Sequence, residues 1–70
     1  MTQAEIKKQL QDIFIKLELP LVSDFRKLDS LARMMLILET EERFQIEFNI
    51  TELSFDDYEA FVKYIYDKVN

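Results

Sequence analysis

The sequence predicts an all-α domain, and three observations carry that expectation. Apolar residues recur three and four positions apart in three separate stretches. Residues that cap helix starts stand ahead of those stretches. The one alternating segment, Phe44–Ile50, has no second strand to pair with. The expected architecture is a small bundle of three main helices plus one short helix, forming a single domain over residues 1–70.

Thr2 and Glu5 fit the capping box T-x-x-E. Ile6, Leu10, Ile13, Phe14 and Leu17 follow at helical spacing, which predicts a first helix from Gln3 to Leu17 or Glu18. Pro20 stops it or follows its stop. Leu19–Leu28 is expected as a connecting loop, anchored by Leu21 or Val22 and by Phe25. The second helix should begin near Asp29 or Ser30 and end near Phe44. Asn49 with Glu52 suggests a further cap, with Ile50–Leu53 as the short helix or a single turn. Ser54 with Asp57 looks like another start. Beyond it, Tyr58, Phe61, Val62, Ile65, Tyr66 and Val69 mark an amphipathic helix reaching almost to the last residue. Tyr58 is expected in the core and Tyr64, off the apolar stripe, in solvent.

Composition excludes several kinds of chemistry. Cysteine and histidine are absent, so disulfides, thiolate metal sites and a Ser-His-Asp triad are impossible. Glycine is absent too, which removes phosphate-cradling glycine loops and the EF-hand turn. The net charge of −5 argues against nucleic acid as a partner and favours basic surfaces. That charge is one-sided. The first thirty residues hold five acids and five bases, and the rest hold nine acids and four bases. No basic-then-apolar leader opens the chain, and the longest apolar run, Met34–Leu38, is far too short to span a bilayer. A cytoplasmic monomer is the expectation.

The second helix is apolar on two sides. At about 100° per residue, Ile37 and Phe44 share one side, with Thr40 between them and Met34 or Leu36 at the margins. That side is expected to meet Ile6, Leu10, Phe61 and Ile65. Leu31, Met35 and Leu38 lie nearly opposite, bordered by Glu39 and Glu42. Either the helix is central and packs on both sides, or the second stripe is a face for partners, where methionine adapts well and acids steer basic surfaces. Ser30 stands at the head of this helix beside that stripe. Asp29 or Ser30 would suit a helix cap. With no histidine, no lysine at a recognisable spacing and no glycine elbow, Ser30 has nothing to activate it as a nucleophile of its own. It matters chemically only if another enzyme modifies it.

The chain resembles the acyl carrier protein family, which includes peptidyl and aryl carrier domains. The resemblance rests on "LDSL" at Leu28–Leu31, the helix "ARMMLILETEERF", then "QIEF" at Gln45–Phe48 and "YEAFVKYI" at Tyr58–Ile65. It implies an acyl-carrier-protein-like bundle that is not itself an enzyme. Ser30, preceded by Asp29, would receive 4'-phosphopantetheine from a phosphopantetheinyl transferase. The arm would carry acyl or aminoacyl groups as thioesters between loading and accepting enzymes. Leu31, Met35, Leu38, Glu39 and Glu42 would be the docking contacts. The chain departs from the family's pattern at three places. Phe25-Arg26-Lys27-Leu28 leads straight into Asp29 where members usually have a glycine. Met35 stands where fatty-acid carriers often have an acid, with Arg33 nearby. Asn49 stands where proline is common. The less acidic docking face leans towards a stand-alone carrier in a specialised biosynthetic pathway. The competing expectation is a non-enzymatic helical adaptor with the same fold and no arm.

Overall fold

The computed structural model describes residues 1–48 and 57–70. Among them are three α-helices: α1 (Gln3–Lys16), α2 (Ser30–Phe44) and α3 (Tyr58–Val69). The expected short helix at Ile50–Leu53, the cap at Asn49 and the start at Ser54 lie outside the described residues. A short 3-10 helix, Phe25–Lys27, interrupts the stretch expected to be all loop. No helix among the described residues is long and apolar enough to cross a membrane.

Capping side chains hold the helix starts, at the expected residues for α1 and α2 and at Asp57 itself for α3. The Glu5 N–H donates to Thr2 Oγ1 at 3.1 Å, and the Thr2 N–H donates to Glu5 Oε1 at 3.0 Å, completing the capping box. Asp57 caps α3 through the Ala60 N–H at 2.7 Å. The 3-10 helix starts at Asp24, whose carboxylate accepts from the Arg26 N–H at 3.0 Å and from the Arg26 guanidinium at 2.9 and 3.1 Å.

The helix ends follow a different rule because the chain has no glycine. After α1, Glu18 takes a positive φ of 57°. Its N–H reaches the Ile15 carbonyl at 3.1 Å, and that of Leu19 reaches Phe14 at 2.9 Å, a Schellman closure that folds Leu19 back onto the core. Pro20 comes next and prevents continuation. After α2, Gln45 has φ 55° and Ile46 N–H closes on the Glu41 carbonyl at 3.2 Å. The alternating segment therefore leaves α2 through a left-handed turn, and its described residues beyond that turn, 46–48, are not strand.

One core joins all three helices: Ile6, Leu10, Ile13 and Phe14 of α1, Leu36 of α2, and Phe61, Val62 and Ile65 of α3. Among the described residues, three from connecting segments join it: Phe25, Leu28 and Phe48. Phe25 is the aromatic hub. Its ring lies 5.3 Å from Phe61, 6.2 Å from Phe14 and 6.4 Å from Tyr58, all tilted or edge-on. Of the expected loop anchors, Phe25 is buried and Val22 packs against the core, whereas Leu21 is exposed.

Tyr58 is half-buried at the rim, its hydroxyl donating to the Lys7 carbonyl at 3.4 Å. Tyr64 departs from the expectation of solvent. Phe48 folds back over α3 and stacks on Tyr64 at 5.0 Å and on Phe61 at 5.6 Å, so Tyr64 is half-buried. A helical wheel of α3 alone contains no trace of that visiting ring.

Two predictions follow from this packing. Leu36→Ala leaves a cavity at a fully enclosed position and should lower unfolding free energy by about 2–4 kcal/mol in urea titration, whereas Leu38→Asp on the opposite side should stay within about 0.5 kcal/mol. The second concerns acid. Hydrogen bonds from the Thr2 backbone and then its side chain hold the Glu5 carboxyl below its usual range, and the Arg26 guanidinium and then its N–H do the same for Asp24. Lowered carboxyl values contribute stability above the unfolded-state range near pH ~4, and that contribution fades as pH falls through the folded-state values. Glu5→Gln should therefore flatten the acid limb of a thermal-stability profile below about pH 4.

Candidate functional site

The site is built at the head of α2, and its position is dictated by the residues just before it. Phe25 and Leu28 are both buried, so the chain is pinned immediately ahead of Asp29. Asp29 takes extended backbone angles and its Oδ1 accepts from the Ala32 N–H at 2.7 Å. The cap is thus Asp29. Ser30 is the first helical residue; it is exposed, and its hydroxyl has no hydrogen-bond partner among the described residues. Of the two candidates for the capping role, the acid takes it and the hydroxyl is left over.

The rotation of α2 is the second determinant. Leu36 and Thr40 are its fully buried residues, and Ile37 and Phe44 are only half-buried. The buried side is therefore rolled by about 70° from the expected Ile37–Phe44 side, at 100° per residue. Charges on α1 show where the helix leans. Lys16 pairs with Glu39, and Arg43 reaches Gln9 at 3.1 Å and Asp12 at 4.0 Å. Both contacts draw the Leu36, Glu39 and Arg43 side towards α1. These pairs are mostly exposed and contribute little stability individually; their value here is as markers of orientation. Thr40 tolerates its burial because its hydroxyl donates to the Leu36 carbonyl one turn back, at 2.7 Å.

The roll leaves a broad apolar strip in solvent. Leu31 is 67% exposed, Met34 58%, Met35 37% and Leu38 58%. The expected stripe of Leu31, Met35 and Leu38 is uncovered by the chain's own described residues, and Met34 joins it instead of marking the core margin. Glu42 borders the strip in solvent. Glu39 does not: it is half-buried with its carboxylate held by Lys16. Scattered exposed apolar residues are ordinary, but a contiguous patch of this kind is characteristic of interaction surfaces.

Beside the strip, Ser30, Arg33, Met34 and Ile37 line an open cavity of about 190 Å³. Sequence reasoning passed over Arg33 and Ile37 as site residues. The signal was present, because positions 30, 33, 34 and 37 follow the i, i+3, i+4, i+7 rule of one helical face.

Removing the cap and removing the spare hydroxyl should differ in stability. Asp29→Ala should cost about 1 kcal/mol in chemical denaturation, and Ser30→Ala should change it by less than about 0.5 kcal/mol.

Compared with family models, curated proteins and solved structures, the chain finds no match in any of the three.

Proposed function

We propose that this chain is a carrier protein, in which Ser30 holds 4'-phosphopantetheine and α2 presents the arm to partner enzymes in the cytoplasm. The observation that carries this reading is the juxtaposition at the head of α2. A solvent-facing hydroxyl not used for capping adjoins an apolar strip that the described residues leave uncovered. The residues fit the group: the oxygen is accessible, the helix cap is made by Asp29 and not by this oxygen, and the adjoining cavity has an apolar floor of Met34 and Ile37. In the transfer, the Ser30 oxygen would bond to the phosphorus of coenzyme A and the nucleotide portion would leave. The hydroxyl proton would pass to a base on the transferase. When bound, the arm supplies a thiol that carries acyl or aminoacyl groups as thioesters; the protein supplies recognition and orientation. Leu31, Met35 and Leu38, joined by Met34, would make the apolar contacts with loading and accepting enzymes, and Glu42 would steer basic partners. Glu39, half-buried and paired with Lys16, would stand on the α1 side of that face and not among its free acids. A specialised biosynthetic pathway is the setting this reading favours, because Arg33 and Met35 make the docking face less acidic than a fatty-acid carrier's.

Incubation with coenzyme A and a broad-specificity phosphopantetheinyl transferase tests the reading by intact mass. The expected result is one phosphopantetheine added to the unsubstituted chain and none to Ser30→Ala. Leu38→Asp, which should fold normally, is expected to slow the transfer about tenfold by spoiling the docking strip. If several transferases leave the unsubstituted chain at its original mass, the carrier reading fails and an adaptor that binds partners without an arm takes its place.

A further inference from the structure

Arg33 differs from the other two arginines of the chain. Arg26 bonds both carboxylate oxygens of Asp24, and Arg43 reaches Gln9 and Asp12. Arg33 makes no ion pair among the described residues, although it is half-buried and its side chain lines the cavity beside Ser30. The carboxylate one turn before it on the same helix is Asp29, which already accepts the Ala32 N–H as a cap. The cavity therefore combines one hydroxyl, one cation with no ion pair among the described residues, and two apolar side chains, Met34 and Ile37. That combination suits an ester of phosphate bearing an aliphatic group: the guanidinium fits phosphate oxygens in a forked arrangement, and the thioether and branched carbon chain fit the alkyl part. Electrostatics asks for such a cation. A phosphate ester on Ser30 would place negative charge next to the Asp29 carboxylate, and like charges in that position repel.

We propose that Arg33 is the phosphate-pairing residue of this site: its guanidinium holds the phosphodiester on Ser30 and so directs the arm along the Met34–Ile37 side of α2. The inference rests on the carrier reading for the identity of the ester, and its chemistry concerns the phosphate alone. Arg33 is a positioning residue, since the reactive end of the arm lies far from its attachment point.

The test uses the full chain in two forms besides the unmodified one. One carries a simple phosphate monoester on Ser30, installed during translation without any transferase; the other carries the enzymatically attached arm. In ¹H–¹⁵N spectra, the Nε–H resonance of Arg33 is expected to shift and to exchange more slowly with solvent in both modified forms, while those of Arg26 and Arg43 stay in place. A thermal cycle gives the second readout. Adding the phosphate should raise Tm by about 3 °C more with Arg33 than with Arg33→Gln, and Arg33→Lys should recover part of the difference because a cation remains. An unmoved Arg33 resonance together with equal Tm changes in the Arg33 and Arg33→Gln backgrounds overturns the proposal. Failure of the transferase to attach the arm would sink the carrier reading and leave the monoester measurement readable by itself.

Discussion

The structure depends on how α2 is rolled about its own axis. Leu36 and Thr40 define the buried side, and everything proposed for the opposite side follows from that choice. Burying a leucine there gains the transfer energy of an aliphatic side chain, about 2 kcal/mol. Thr40 costs little in the same place because its hydroxyl is satisfied by the carbonyl of Leu36. Had Ile37 and Phe44 formed the centre of the buried side, the strip of Leu31, Met34, Met35 and Leu38 would turn partly inward. The roll and the strip are one fact seen from two sides.

The second dependence is on Phe25 and Leu28. They come from a connecting segment, yet they are as deeply placed as helix residues. A chain of this length has few residues to spend on a core, and among the described residues it recruits three from outside its α-helices, Phe48 included. The effect at the head of α2 is direct. With Leu28 enclosed and Asp29 engaged as a cap, Ser30 emerges at a defined point without glycine in the preceding loop. The short Phe25–Lys27 helix supplies the compactness that a longer, more flexible loop would lack.

Much of this was legible in the residues. The three main helices, the Thr2–Glu5 box, the cap at Asp29 or Ser30 and the double-sided character of α2 all follow from local spacing and capping chemistry. What escaped depended on residues distant in sequence. The wheel of α2 gives Ile37 and Phe44 their full apolar weight but says nothing of Lys16, Gln9 and Asp12, which mark the side that faces α1. Tyr64 is likewise decided by Phe48 arriving from beyond α2. The 3-10 helix was hidden because its signal, Asp24 ahead of Arg26, is too short to register as a period. At the site, spacing alone was enough to unite Ser30 with Arg33, Met34 and Ile37, but only the lack of an acidic partner for Arg33 among the described residues gave the grouping chemical meaning.

The left-handed residues that end α1 and α2 carry a consequence for how this protein can change over generations. Glu18 and Gln45 occupy a conformation that penalises a β-carbon by roughly 1 kcal/mol or more, and glycine would relieve it at either place. The fold thus operates below its attainable stability. Each such position is a reserve: one substitution there could offset a destabilising change on α2, letting the exposed strip drift towards new partners while the bundle remains folded.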